Sequence, residues 1–370
     1  MPRPIQATVH LGAIEHNLSV IKGLLEGRVC MPVVKANAYG HGLQRVYPAL
    51  HGADALAILE IEGAIALREM GWTKPILLLE GCFDSSDLDL AMELQLDWVV
   101  HNADQLAQVL ALSGHRQTGT LAKPPRIFLK INTGMNRLGF SMHEAPAVIE
   151  ALDAFVQSQG WPTPVLMTHF ANADVVNLME AVPSALVQHN LLMQIKPALW
   201  GSSLGNSAGV LNCTAWVGNI ARPGIAVYGA TPGPRRASEY GLKPAMQLNS
   251  EILAVQLVKA GERVGYGARW QAQRNSRIAV VACGYADGYP RHAPDGTPTG
   301  VCGQVAPLVG RVSMDMLTVD ITDIAQATVG TSVELWGSQI AVDDVAHCCG
   351  TIAYELLCAV APRVPIQVKE

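Results

Sequence analysis

The chain has 370 residues, 49% of them apolar and only 15% charged, with a formal charge of -5 and no Lys/Arg-rich run able to neutralise a row of phosphates. That balance fills one large core and a second, smaller one, and argues against a nucleic-acid partner. No stretch approaches the roughly 20 apolar residues of a membrane span, the first ten residues lack the apolar core of a signal peptide, and the eight cysteines sit mostly in apolar runs without a C-x-x-C spacing. A soluble, cytoplasmic protein with no bound metal and no membrane contact is expected.

In chain order, short apolar runs alternate with helix-like segments over about residues 28 to 230. The runs are Cys30–Ala36, Ala55–Leu59, Pro75–Leu79, Asp97–Val100, Arg126–Ile131, Pro164–Thr168, Leu199–Ser202 and Gly218–Arg222. Segments such as Glu60–Met70 and Ala103–Leu112 carry apolar residues three and four apart, as helices packed on a sheet do. Eight such units predict an α/β fold, a (β/α)8 TIM-type barrel over residues 10–234. Pro232–Ser238 reads as a linker. Beyond it, Ile252–Val258, Ile278–Cys283, Leu308–Met316 and Ser332–Gly337 are apolar runs punctuated by glycine, with one helix candidate near Val342–Cys349. Residues 235–370 are therefore expected to form a β-rich C-terminal domain, joined by residues 1–9 as an edge strand.

The polar residues at the run ends carry the chemistry. Lys35 closes the first run in Val33-Val34-Lys35-Ala36-Asn37-Ala38-Tyr39-Gly40. A lysine there is either a snorkelling strand end or a Schiff-base amine facing the catalytic mouth of a barrel. Lys130, Asn132 and Arg137 stand at or beyond the end of the fifth run, Thr168-His169 of the sixth, Asn206-Ser207 of the seventh, and Arg222-Pro223-Gly224-Ile225 of the eighth. Each alone reads as structural. Five run ends delivering Lys, Arg, His or Ser to one face do not. Ser207 with the Gly224 and Ile225 amides suits a phosphate, a common arrangement after barrel strands seven and eight.

The Lys35 motif, Arg222-Pro-Gly-Ile-Ala-Val-Tyr228, Val264-Gly-Tyr-Gly-Ala268 and Gly310-Arg-Val-Ser-Met-Asp315 occur in this order. Together they make the chain resemble the bacterial alanine racemases over essentially its full length. The resemblance implies a pyridoxal 5'-phosphate isomerase that interconverts L- and D-alanine, supplying D-alanine for peptidoglycan and the cell wall or acting in alanine catabolism. It implies that Lys35 carries the cofactor and is the base for the D enantiomer, with Tyr266 the base for the L enantiomer. Two bases are needed because a planar carbanion inverts only when it is reprotonated from the opposite face. A phenol titrates near 10, so such a base needs positive charge nearby.

The resemblance further implies that Arg222 faces the cofactor's ring nitrogen, which then stays unprotonated because arginine does not give up its proton, and that His169 holds Arg222. Tyr39, Ser207 and Tyr354 match phosphate-side residues, with Gly224 and Ile225 beside them. Arg137 and the Met314 backbone match substrate-carboxylate contacts. Lys130 matches a supporting lysine often carried as a carbamate, although Asn132 stands where an aspartate is usual. Tyr285, Arg311 and Asp315 resemble residues lining the entrance. A head-to-tail homodimer is implied, with Tyr266 and Met314 reaching the partner's cofactor.

Three other functions fit parts of this pattern. A broader alanine/serine racemase differs only in its pocket, and a few methylenes discriminate by only about 1–3 kcal/mol. A non-catalytic pyridoxal-phosphate carrier needs no second domain and no Tyr266. A barrel-type decarboxylase generally places glutamate where Arg222 stands.

Overall fold

The structure is a computed structural model describing residues 3–112, 124–175 and 177–370. It divides into two compact units, one formed by Leu18–Ala38 and Leu50–Val227, the other by Met1–Asn17, Tyr39–Ala49 and Tyr228–Glu370.

The first unit is an eight-stranded parallel barrel. Its strands are Val29–Cys30, Leu56–Ile58, Ile76–Leu78, Asp97–Val100, Ile127–Lys130, Val165–Met167, Gly201–Ser203 and Ile220–Ala221, one within or overlapping each apolar run. The middle six pair in sequence order and the first pairs with the eighth. A Val33–Ala57 bridge links the first strand's extension to the second, and the Asn219 N–H bonds the Ser202 carbonyl to join the seventh and eighth. Strand residues such as Ile76, Leu77 and Leu78 are buried whichever way they point, because one face fills the barrel and the other meets helices.

Those helices start where the sequence offers a cap. Asp84, Asn102 and Ser184 each accept the backbone N–H three residues on, opening Ser85–Glu93, Ala103–Ala111 and Ala185–Ile195. Because strand and helix alternate without a break, every strand's carboxyl end opens onto the same mouth.

The second unit is built on an eight-stranded sheet. Its spine is the 13-residue strand Met246–Val258, which pairs at different points along its length with Ile5–His10, Ser276–Val281 and Ser332–Trp336, shifting register at Ile252/Ala254 and Leu248/Asn249. Such bulges bend a long strand, letting it serve several neighbours.

Two expectations need correction. Ile5–His10 is not an edge strand, since Ile366–Lys369 pairs with its other side. The Leu308–Met316 run is mostly loop, with its strand at Leu317–Asp320. A second helix, Ala353–Cys358, follows Val342–Cys348. Among the described residues no helix is long and apolar enough to cross a membrane, and no cluster of metal-ligating side chains is present.

Candidate active site

Lys35 sits at the carboxyl end of the first barrel strand and opens a turn of unusual hand. Ala36, Asn37, Ala38 and Tyr39 all have φ between 52 and 54°, and the Ala38 N–H closes the turn on the Val34 carbonyl at 3.0 Å. A left-handed turn costs about 1–2 kcal/mol per non-glycine residue, and asparagine tolerates it best. Strain of this kind persists where the surroundings fix it, often at functional sites. The Lys35 amine donates to none of the described residues.

At the eighth strand's end Arg222 is buried, with Nη1 donating to Ser203 Oγ and Nη2 to the Thr168 carbonyl. Among the described residues no carboxylate lies within ion-pairing distance of it. Burial pulls its pKa down, but a guanidinium keeps its proton in a protein, so a permanent cation faces only neutral acceptors. Its remaining donors suit a neutral acceptor on a ligand.

The resemblance gives His169 the task of holding Arg222. Ser203 and Thr168 do so instead. The His169 ring nitrogen Nε2 accepts from Asn206 Nδ2 at 3.3 Å, while Asn206 Oδ1 caps the helix Ser207–Asn212 through the Gly209 N–H. Burial, then Arg222, Arg137, Lys130 and Lys35, hold the His169 pKa well below its ordinary value. The ring is neutral at physiological pH, and its proton lies on Nδ1.

Lys130 is buried at the fifth strand's end. Burial, Arg222 and Arg137 bring its pKa down to about 8, and Lys35 adds to them while Glu80 opposes. An appreciable fraction is therefore neutral amine near pH 7, the form that combines with carbon dioxide. Arg137 is exposed beyond it, and Asn132 fixes the intervening loop by accepting the Gly134 and Asn136 N–H groups at 3.0 Å each.

Two further polar residues at this mouth were not singled out from the sequence. Glu80 ends the third strand and His101 the fourth, joined by His101 Nε2 to the Glu80 carbonyl at 3.1 Å. Their signal was the same as for the others, a polar residue directly after an apolar run.

Ser207 Oγ is buried and accepts the N–H groups of Gly224 at 2.8 Å and Ala226 at 3.2 Å. The Gly224 amide, expected to face outward, is thus committed to Ser207. The Ile225 N–H between them donates to none of the described residues. With two donors on its oxygen, the serine hydroxyl is free to donate its own proton. A hydroxyl, an unpaired amide, a lysine amine and a counter-ion-free arginine at one barrel mouth fit an anionic aromatic cofactor bearing an aldehyde and a basic ring nitrogen.

The second unit holds the other candidates in two groups. Tyr39 stacks on Tyr228 with ring centres 4.9 Å apart and meets Tyr354 at 5.8 Å, and the His41 ring stacks on Tyr228. Burial, aided by Cys358, pushes the Tyr39 phenol up, so it is a donor and not an anion. The second group lies on turns. Gly265 packs against the Arg311 backbone and leads into Tyr266, which is 67% exposed. The Tyr285 and Ala286 N–H groups bond the Ser313 and Met314 carbonyls at 3.0 Å, which brings Tyr285, Met314 and Asp315 together.

Comparison with known proteins agrees with this reading. Residues 9–232 match the family model described as the alanine racemase N-terminal domain, and residues 245–368 match the alanine racemase C-terminal domain. The chain is 46% identical to the alanine racemase of Burkholderia mallei over all of both chains, and 46% identical to the catabolic alanine racemase of Salmonella typhimurium over 99% of each. Among solved structures it is similar to the biosynthetic alanine racemase of Pseudomonas aeruginosa, with TM-score 0.90, 45% identity and all of both chains covered. It is also similar to the alanine racemase of Bartonella henselae solved with covalently bound pyridoxal phosphate, with TM-score 0.85, 26% identity and all of both chains covered. The chain belongs to the alanine racemase family.

Proposed function

We propose that this chain interconverts L- and D-alanine with pyridoxal 5'-phosphate attached to Lys35. The observation that carries the proposal is the convergence of Lys35, Lys130, His169, Ser207 and Arg222 on one barrel mouth, with the buried Arg222 lacking any carboxylate partner among the described residues. When bound, the cofactor acts as an electron sink that makes the α-hydrogen of an attached amino acid acidic.

The chain's own residues do the rest. Ser207 and the Ile225 amide hold the phosphate, and the resemblance alone assigns the hydroxyls of Tyr39 and Tyr354 to it. Arg222 presents donors only, which keeps a basic ring nitrogen unprotonated and weakens the sink, and so limits competing reactions. Lys35 takes and returns the proton of the D enantiomer and Tyr266 that of the L enantiomer. Arg137 and the Met314 amide hold the substrate carboxylate. Lys130, with its depressed pKa, is the site of a carbamate that would place an anion among Arg137, Arg222 and Lys35.

Tyr266, Tyr285, Met314 and Met316 are all exposed, and a catalytic phenol works poorly in open water. That exposed face supports a head-to-tail homodimer in which a second copy covers it and Tyr266 and Met314 serve the partner's cofactor. The domain division at 234/235 and a cytoplasmic location belong to the same reading.

A panel of L-amino acids, assayed for the D enantiomer with purified protein and pyridoxal phosphate, tests the proposal. Alanine is expected to turn over fastest, with serine roughly 10- to 200-fold lower in kcat/KM. Serine turned over as well as alanine would establish the broader racemase, and cofactor binding without any racemisation would leave only a carrier.

A further inference from the structure

Four charged groups of the second unit form one network. The Asp287 side chain is fully buried. Its oxygens accept from Arg3 Nη1 at 2.9 and 3.2 Å, from Arg363 Nε at 2.8 Å and from the Gly284 N–H at 2.9 Å. Both arginines then extend beyond it. Arg3 Nη2 donates to the Asp315 carbonyl and Arg363 Nη2 to Asp315 Oδ1 at 2.8 Å. Asp287 thus closes its own turn and, through two arginines, grips the loop that carries Met314.

The loop is held from the other side as well. The Ala286 N–H pins the Met314 carbonyl. Gly284 lies so close that an added Cβ would collide with that carbonyl oxygen, so no other residue fits without moving the loop. With its carbonyl committed, Met314 keeps an N–H that donates to none of the described residues, and the residue is 53% exposed. An amide held rigidly with its donor free is preorganised to receive an anion, because the ordering cost is met on folding instead of on binding. The network's two aspartates and two arginines sum to zero formal charge. Loss of one arginine would leave a net negative charge beside the loop.

We propose that Asp287, Arg3 and Arg363 form a positioning unit that fixes the Ser313–Met316 loop and thereby sets the affinity of the site for the substrate's carboxylate. This rests on the assignment of the Met314 amide to that carboxylate. None of the three touches substrate; they act through the loop.

Removing Asp287 would strand two arginines and endanger folding, so the test uses the partly exposed Arg3. In Arg3→Met, KM for alanine is expected to rise about five- to tenfold with kcat within about twofold of native. Because the equilibrium constant between enantiomers is unity, kcat/KM must fall by the same factor for both. Acetate, a carboxylate with no amine to react, should inhibit competitively, with its inhibition constant rising in parallel. Arg3→Lys should recover part of both losses.

If Arg3→Met folds, melts at a lower temperature and leaves KM and acetate inhibition unchanged, the network is only structural and the positioning role falls while racemisation stands. If the native chain racemises nothing, the assignment beneath this inference falls, and the inference with it.

Discussion

Replacing Lys35 with alanine should abolish covalent cofactor attachment and lower racemisation by about a thousandfold or more, since one side chain supplies both the anchoring amine and one of the two bases. Folding should survive. The Lys35 amine donates to none of the described residues, and the residue is only partly buried, so the loss in stability should stay within about 0.5 kcal/mol. The left-handed turn belongs to Ala36–Tyr39 and is kept by alanine. Absorbance of the bound cofactor, together with borohydride reduction, reads the attachment directly. An unchanged spectrum and a reducible adduct in Lys35→Ala would place the anchor elsewhere.

Arg222→Glu should change what the site does as well as how fast it works. Arginine offers donors and no acceptor, whereas an ionised glutamate offers acceptors only. A ring nitrogen facing that carboxylate is drawn toward its protonated form, the electron sink deepens, and reactions that need longer-lived negative charge gain ground. Racemisation should fall by about 100-fold or more, and pyruvate from transamination of alanine should become detectable. Because Ser203 Oγ and the Thr168 carbonyl now receive Arg222, a carboxylate there would meet a carbonyl oxygen and lose about 3–5 kcal/mol of stability. Arg222→Gln, which restores a donor, separates that structural cost from the change in partitioning. A folded Arg222→Glu that releases no more pyruvate per turnover than native would remove this account of Arg222.

Much of the barrel was legible because most of its strands lie in short apolar runs buried on both faces, and because a polar residue at or beyond the end of such a run faces the mouth. Lys35, Lys130, His169, Ser207 and Arg222 come from that rule, and Glu80 and His101 obey it too. The contacts among these residues were not legible. Ser203, directly after the seventh apolar run, rather than His169, receives Arg222, and nothing in local sequence sets one neighbouring strand end above another as an acceptor. The left-handed turn was hidden because Ala-Asn-Ala-Tyr has no glycine to announce positive φ. Arg3 and Asp287 stand 284 positions apart, a pairing that no local periodicity carries. In the second unit, Leu308–Met316 is apolar enough to read as a strand, but its residues curve around Gly284 and pair with a turn, which leaves Met314 and Met316 exposed.

The most direct test of the two-base account is α-hydrogen exchange in deuterium oxide by Tyr266→Phe, followed separately from each enantiomer. The account predicts that the variant keeps its bound cofactor, that D-alanine still exchanges with retention through Lys35, and that exchange from L-alanine falls with racemisation by about a thousandfold. Racemisation at the native rate in the folded variant, or equal loss of exchange from both enantiomers with the cofactor still bound, would contradict it.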